Sequence, residues 1–199
     1  HSAESEPASV QYQWERLHAA LAQLPRRPAL IHAANSAAAL RGRAYAADLV
    51  RPGIFLYGGH AGEAAPRPVV SLRARVVAVR RVRPGDTVSY GAVWRAESAA
   101  TVATFGLGYA DGLPRASALA NRPARLVELA GRTLPIVGRV TMDMTMIAAG
   151  EQAVRVGDVV TVYGGLVSLD AQARAAGTIA YELLTSLGPR LPRRYLGAP

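Results

Sequence analysis

The chain has 199 residues, half of them hydrophobic, and a formal net charge of +9. That length holds one large domain or two small ones with a real core, and no apolar run approaches the roughly 18 residues of a membrane span. Cysteine is absent, which excludes disulfides and zinc–thiolate sites; all 23 basic residues are arginine, so these residues alone cannot supply a lysine amine.

The charge raises the question of a nucleic-acid partner. The arginines are spread from Arg16 to Arg194, with only short pairs such as Arg80-Arg81 and Arg193-Arg194. No basic stretch is interleaved with aromatics for stacking. The expectation is a solvated, partly salt-bridged surface, with neither nucleic acid nor membrane as partner. The first residues, HSAESEPASV, have neither the basic start nor the apolar core of a signal peptide. They also lack an initiator methionine, as an internal start would. A cytoplasmic location is expected.

In chain order, residues 8–24 read as a helix. Val10, Trp14, Leu17, Leu21 and Leu24 recur at three- and four-residue steps, Ser9 is the expected cap and Pro25 the stop. ALIHAA, 29–34, reads as a short strand. NSAAAL opens a second helix with Asn35 or Ser36 at its start, and ADLVRPGIFLYG follows. Strand, helix and strand in quick succession point to βαβ units. Two or three such units are too few to close an eight-stranded barrel of roughly 250 residues.

The texture changes near residue 65, at AAPRPVV. Beyond it, VVSLRARVVAVRRV, TVSYGAVW, ATVATFGLG, RLVELAG, LPIVGRV and VGDVVTVYG are rich in β-branched residues. They are separated by PGD, AGR and GGL, which is turn chemistry. An all-β domain is expected, then a helical tail, SLDAQARAAGTIAYELLTSLG, capped by Ser168. The expected division is 1–64 and 65–199.

Five places could carry chemistry. His32 ends a strand and precedes Asn35 and Ser36, where amides and a hydroxyl at a helix start suit a phosphate; a plain cap is the competing reading. Arg51-Pro52-Gly53-Ile54 allows close backbone approach beside a guanidinium, or is a turn with a surface arginine. Tyr109 sits in FGLGYADGLPR, a phenol on a glycine-rich loop, where a packing tyrosine would sit better inside the strand. Met142-Asp143 follows Gly138-Arg139-Val140. Tyr181 lies on a helix, where a half-buried aromatic is the ordinary reading.

Taken together, HAANSAAAL, VRPGIFLYG, VSYGAVW, GYADGLPR, GRVTMDM and TIAYELLTSLGPRLPRRY stand in a familiar order. Over nearly its whole length the sequence resembles the C-terminal half of alanine racemase, the fold-type III pyridoxal-phosphate enzyme. The resemblance implies the last units of a (β/α)8 TIM barrel followed by a β-strand-rich C-terminal domain. It implies a head-to-tail homodimer in which the β domain of one subunit completes the site of the other. It implies pyridoxal 5'-phosphate as cofactor and a small amino acid as substrate, with D-alanine supplied for peptidoglycan. The lysine that holds the cofactor covalently belongs to the first half of that barrel.

Residue by residue, His1 resembles the histidine packed on the pyridine ring. Ser36, with the backbone of Gly53 and Ile54, resembles the phosphate cradle, and Tyr181 the tyrosine that also reaches the phosphate. Arg51 resembles the arginine at the pyridine nitrogen and His32 its neighbour. Tyr109 resembles the second catalytic base. Met142 resembles the residue whose backbone lies by the substrate carboxylate, and Arg139 and Asp143 parts of the channel to it. Met144 departs from the Gln usual after Met-Asp, and GGHAGEAAPRP is short for the junction. A hydrogen-bonded chain from Tyr109 through His1 to Arg51 would favour the phenolate, which a phenol with reference pKa near 10 needs to act as a base. The alternatives are a non-catalytic dimerisation or binding fragment, and a racemase for another small amino acid such as serine.

Overall fold

The computed structural model describes residues 7–115 and 124–197. His1, expected at the cofactor ring, lies outside them. The chain divides into two compact units, His1–Val69 and Val70–Pro199.

In the first unit, helix α1 spans Pro7–Ala22. Pro7 takes its first position, where a missing N–H costs nothing and φ is already helical. Ser9 is therefore inside the helix rather than its cap, and accepts a bond from Gln13 one turn on. Val10 is buried, and Trp14, Leu17 and Leu21 are half-buried. Trp14 meets the Tyr45 ring edge-on at 5.7 Å. The helix stops two residues earlier than expected, and Leu24 is exposed beyond it. The cause is local: Leu24 precedes Pro25, which disfavours helical backbone.

The expected strand over 29–34 shrinks to β1, His32–Ala33, which pairs in parallel with β2, Leu49–Val50. One hydrogen bond and one backbone angle explain the loss. The Ile31 amide donates to the Asp48 carboxylate at 2.9 Å rather than to a strand. Ala34 has φ +40°, which ends the extended backbone. Helix α2, Ser36–Leu40, starts at once, with the Asn35 side chain accepting from the Ala38 amide. A 3₁₀ turn, Ile54–Tyr57, follows β2.

The second unit is a closed six-stranded antiparallel barrel with a two-stranded hairpin. Its strands are β3 (Leu72–Val82), β6 (Ala100–Phe105), β7 (Leu126–Leu129), β8 (Arg132–Val137), β9 (Thr145–Gly150) and β10 (Val159–Tyr163). The hairpin is β4 (Thr87–Val88) with β5 (Trp94–Arg95). The barrel order is β10-β3-β6-β9-β8-β7, closed by β10 on β7. Val76, Val102, Phe105, Val127, Ile147 and Val160 are buried. On β3 the alternation slips at Val77, where the pairing with β6 shifts register and the strand bends. Strand β9 is absent from the sequence expectations.

The expected helical tail is two helices, α3 (Leu169–Ala176) and α4 (Ala180–Thr185). Ser168 caps α3 as expected, accepting from Ala171 N–H at 3.1 Å. Gly177, at φ +77°, ends it. Buried Gln172 ties α3 to the barrel. Its amide donates to the carbonyls of Leu126 and Val162, and its oxygen accepts from the buried Arg125. Burial lowers the Arg125 pKa to about 10, so the guanidinium stays charged at neutral pH.

Candidate active site

In the first unit, the parallel β1–β2 pairing sets two turns side by side. His32 and Arg51 come from the ends of these strands, and Arg51 Nη1 lies 2.8 Å from His32 Nδ1. A guanidinium only donates. His32 Nδ1 therefore accepts, and its proton sits on Nε2. The same Nη1 donates to the Ala33 carbonyl at 3.0 Å. Both side chains face solvent.

Ser36 is buried at the start of α2. Its hydroxyl oxygen accepts from Gly53 N–H at 2.8 Å and from Phe55 N–H at 3.4 Å. The hydroxyl keeps its own proton to donate. Among the described residues, a methyl at Gly53 would meet no atom within 4 Å, so the backbone there has room for a close approach. The sequence-predicted Ser36 and Gly53 are thus in contact. Asn35 takes the capping role, which leaves the Ser36 hydroxyl free of it. The Phe55 amide joins the cradle unforeseen, next to the expected Ile54.

In the second unit, Tyr109 opens a 3₁₀ turn, Tyr109–Asp111, after β6. The Tyr109 amide donates to Thr141 O and the Ala110 amide to Met142 O, both at 3.0 Å. A Cβ at Gly108 would run into the Met142 carbonyl. The turn and the 141–143 loop are therefore zipped together by backbone. This brings Tyr109 and Met142, two sequence-predicted residues, onto one surface, 40% and 53% exposed.

Tyr181 is exposed on α4 in the same unit. The chain just after α4 touches the Tyr109 turn, since a Cβ at Gly112, φ +103°, would strike the Ser186 carbonyl. Arg139 is half-buried, and its carbonyl accepts from the Ser89 hydroxyl at 2.7 Å. Asp143 is exposed and paired with Arg190 at 2.8 Å. Arg190 also holds Asp111. Neither Arg190 nor Asp111 is among the sequence-predicted residues. Among the described residues no cluster of His, Asp and Glu could hold a metal, and no helix is long and apolar enough to cross a membrane.

The second unit thus carries Tyr109 on an exposed, backbone-held turn, and the first carries the Ser36–Gly53 contact and the Arg51–His32 pair. Comparison with known proteins is specific. The family model for the alanine racemase C-terminal domain matches residues 69–195, and that for the N-terminal domain matches residues 1–61. The alanine racemase of Rhizobium meliloti (strain 1021) is 43% identical over 199 residues, covering 94% of this chain and 52% of its own length. The alanine racemase structure from D-cycloserine-producing Streptomyces lavendulae superposes with TM-score 0.88 at 34% identity, over 100% of this chain and 55% of that one. The Bartonella henselae enzyme, solved with covalently bound pyridoxal phosphate, gives TM-score 0.86 at 33% identity, over 98% and 54%.

The chain belongs to the alanine racemase family. It spans about half the length of the curated relatives it matches. Its fold is the C-terminal portion of the family's (β/α)8 barrel followed by the β domain.

Proposed function

We propose that this chain is the C-terminal half of a pyridoxal-phosphate-dependent alanine racemase, interconverting L- and D-alanine by a two-base mechanism. The observation that carries the reading is the convergence of Ser36 Oγ and Gly53 N–H at 2.8 Å, in the two turns that follow the paired strands, beside the His32–Arg51 contact at the strand ends. That donor set fits the cofactor. A hydroxyl with a proton to give and backbone amides over an open glycine suit a phosphate. A guanidinium beside it suits an aromatic ring nitrogen.

On this reading Ser36, the amides of Gly53 and Ile54, and the Tyr181 hydroxyl would hold the phosphate, the one Gly53 N–H turning from Ser36 Oγ to a phosphate oxygen. Arg51 donates to the ring nitrogen, with His32 Nδ1 fixing its direction. His1 packs on the ring. Bound there, pyridoxal phosphate draws electrons from the α-carbon of the amino acid and so acidifies its proton. Racemisation then needs one base on each face of a planar α-carbon. Tyr109 is the base for the L face. The lysine of the preceding barrel half serves the D face, since this chain has none. The Met142 backbone receives the substrate carboxylate, and Arg139 and Asp143 line the way in. Tyr109 and Met142 act in the site of a head-to-tail partner subunit, which accounts for a phenol on an exposed, backbone-locked turn. Residues 1–64 belong to the cofactor barrel and 65–199 to the β domain. The enzyme works in the cytoplasm and supplies D-alanine for peptidoglycan.

The test is a racemisation assay of the complete holoenzyme on a panel of L-amino acids. Alanine should give the highest kcat/KM. A higher value for serine would overturn the substrate assignment, and no racemisation by a cofactor-loaded enzyme would overturn the reading.

A further inference from the structure

We infer that Arg190 is a positioning residue for Tyr109: it clamps the turn that carries Tyr109 to the loop that carries Met142. The inference rests on the racemase reading and adds to it a residue that touches neither substrate nor cofactor.

The geometry forms a ring. Asp111 is the last residue of the Tyr109 turn and is buried, with 7% exposure. Its Oδ2 accepts from the Gly108 amide at 2.9 Å, which closes the turn on itself. Its Oδ1 accepts from Arg190 Nε and Nη2, at 3.1 and 2.8 Å. The same Nη2 donates to Asp143 Oδ1 at 2.8 Å. Asp143 follows Met142, whose carbonyl accepts from the Ala110 amide. From Ala110 the path returns to Asp111. One guanidinium therefore spans the two carboxylates that flank the Tyr109–Met142 pair.

Charge explains why an arginine stands there. A buried carboxylate without a counter-ion is costly, and Arg190 reaches Asp111 with two of its donors while spending one of them again on Asp143. Asp143, and then Asp111, hold the Arg190 guanidinium above its ordinary pKa. The chain bearing Arg190 is itself seated on the turn. The Gly188 amide donates to the Asp111 carbonyl at 3.1 Å. Without the guanidinium the backbone bonds remain, but the carboxylate ends of the turn and the loop are free to part. Tyr109 would then shift relative to the Met142 backbone, and misplacement by about 1 Å can cost roughly 100-fold in rate.

The experiment measures solvent-deuterium exchange of the α-proton, separately from L- and D-alanine, in the complete holoenzyme. Arg190→Met should slow L-alanine exchange by about 10- to 100-fold and leave D-alanine exchange near wild type. Arg190→Lys, which keeps a charge but not the fork, should recover part of the loss. Asp143→Asn removes the charge from only the exposed arm, weakening it, and leaves the buried pair, so the fold should survive it. It should shift the same ratio in the same direction by less. The two failures separate cleanly. If wild type exchanges both enantiomers and Tyr109→Phe is selective for L, the racemase reading stands. An unchanged or uniformly lowered pair of rates in folded Arg190→Met and Asp143→Asn then overturns the clamp. If wild type exchanges neither, the reading underneath has failed.

Discussion

Replacing Tyr109 by Phe in the complete enzyme should lower racemisation by about 10²–10⁴-fold, the usual worth of a general base. The substitution removes one hydroxyl and no ring volume. Tyr109 is 40% exposed, so no buried partner is stranded and the fold should hold. The loss should be one-sided. D-alanine, served by the lysine, should still exchange its α-proton with solvent, whereas L-alanine should not. A positioning or packing tyrosine predicts otherwise: equal loss from both enantiomers, or racemisation within about threefold of wild type. Deuterium incorporation followed by mass spectrometry separates the two outcomes.

Gly108→Ala should damage both fold and rate, although it adds a single methyl. Gly108 has φ −140°, a value any residue adopts, so backbone strain is not the reason. The added Cβ would occupy the space of the Met142 and Thr141 carbonyl oxygens. Backbone cannot rotate out of the way as a side chain can. Relief requires parting the turn from the 141–142 loop, which stretches the two 3.0 Å amide bonds. Overpacking of this kind costs about 1–3 kcal/mol, a fall of several degrees in Tm for a unit of this size. The shift of Tyr109 should cost activity by about 10²-fold in the protein that still folds. Thermal denaturation and steady-state rates on one preparation check both. Wild-type Tm and rate in Gly108→Ala would mean that the turn is not held against the loop.

What could be read from the chain beforehand follows from how local each cause is. Strand β3 is legible because Val76, Val77, Val79 and Val82 punctuate an eleven-residue run free of glycine and proline. Strand β9, TMIAAG, is not: methionine and alanine carry no strand preference, and its register comes from β6 and β8 on either side. The strand at 29–34 is shorter than its apolar run predicts because the Asp48 carboxylate, 17 residues away, takes the Ile31 amide. Ser168 and Gly177 act on their own helix, so both the N-terminal cap and the glycine stop are legible in the local sequence. In the site, Ser36, Gly53, His32 and Arg51 were picked out as an ordered set of motifs, and the parallel pairing of two short strands brings them into contact. Arg190 carried no signal. It is 79 residues from Asp111 and 47 from Asp143, and in GPRLPRRY it looks like its neighbours. Only the folded barrel reveals which of those arginines has two carboxylates.

The central claim is that this barrel delivers Tyr109 to a site built on another subunit. Mixed dimers test it most directly. Subunits of the complete enzyme carrying Tyr109→Phe are unfolded and refolded with subunits in which the cofactor-binding lysine is replaced, each kind alone being nearly inactive. If the tyrosine crosses to the partner, half of the sites in each mixed dimer regain both bases, and random pairing restores about a quarter of wild-type activity. If Tyr109 serves its own subunit, no mixed dimer contains an intact site, and activity that stays at the level of the separate variants would contradict the account.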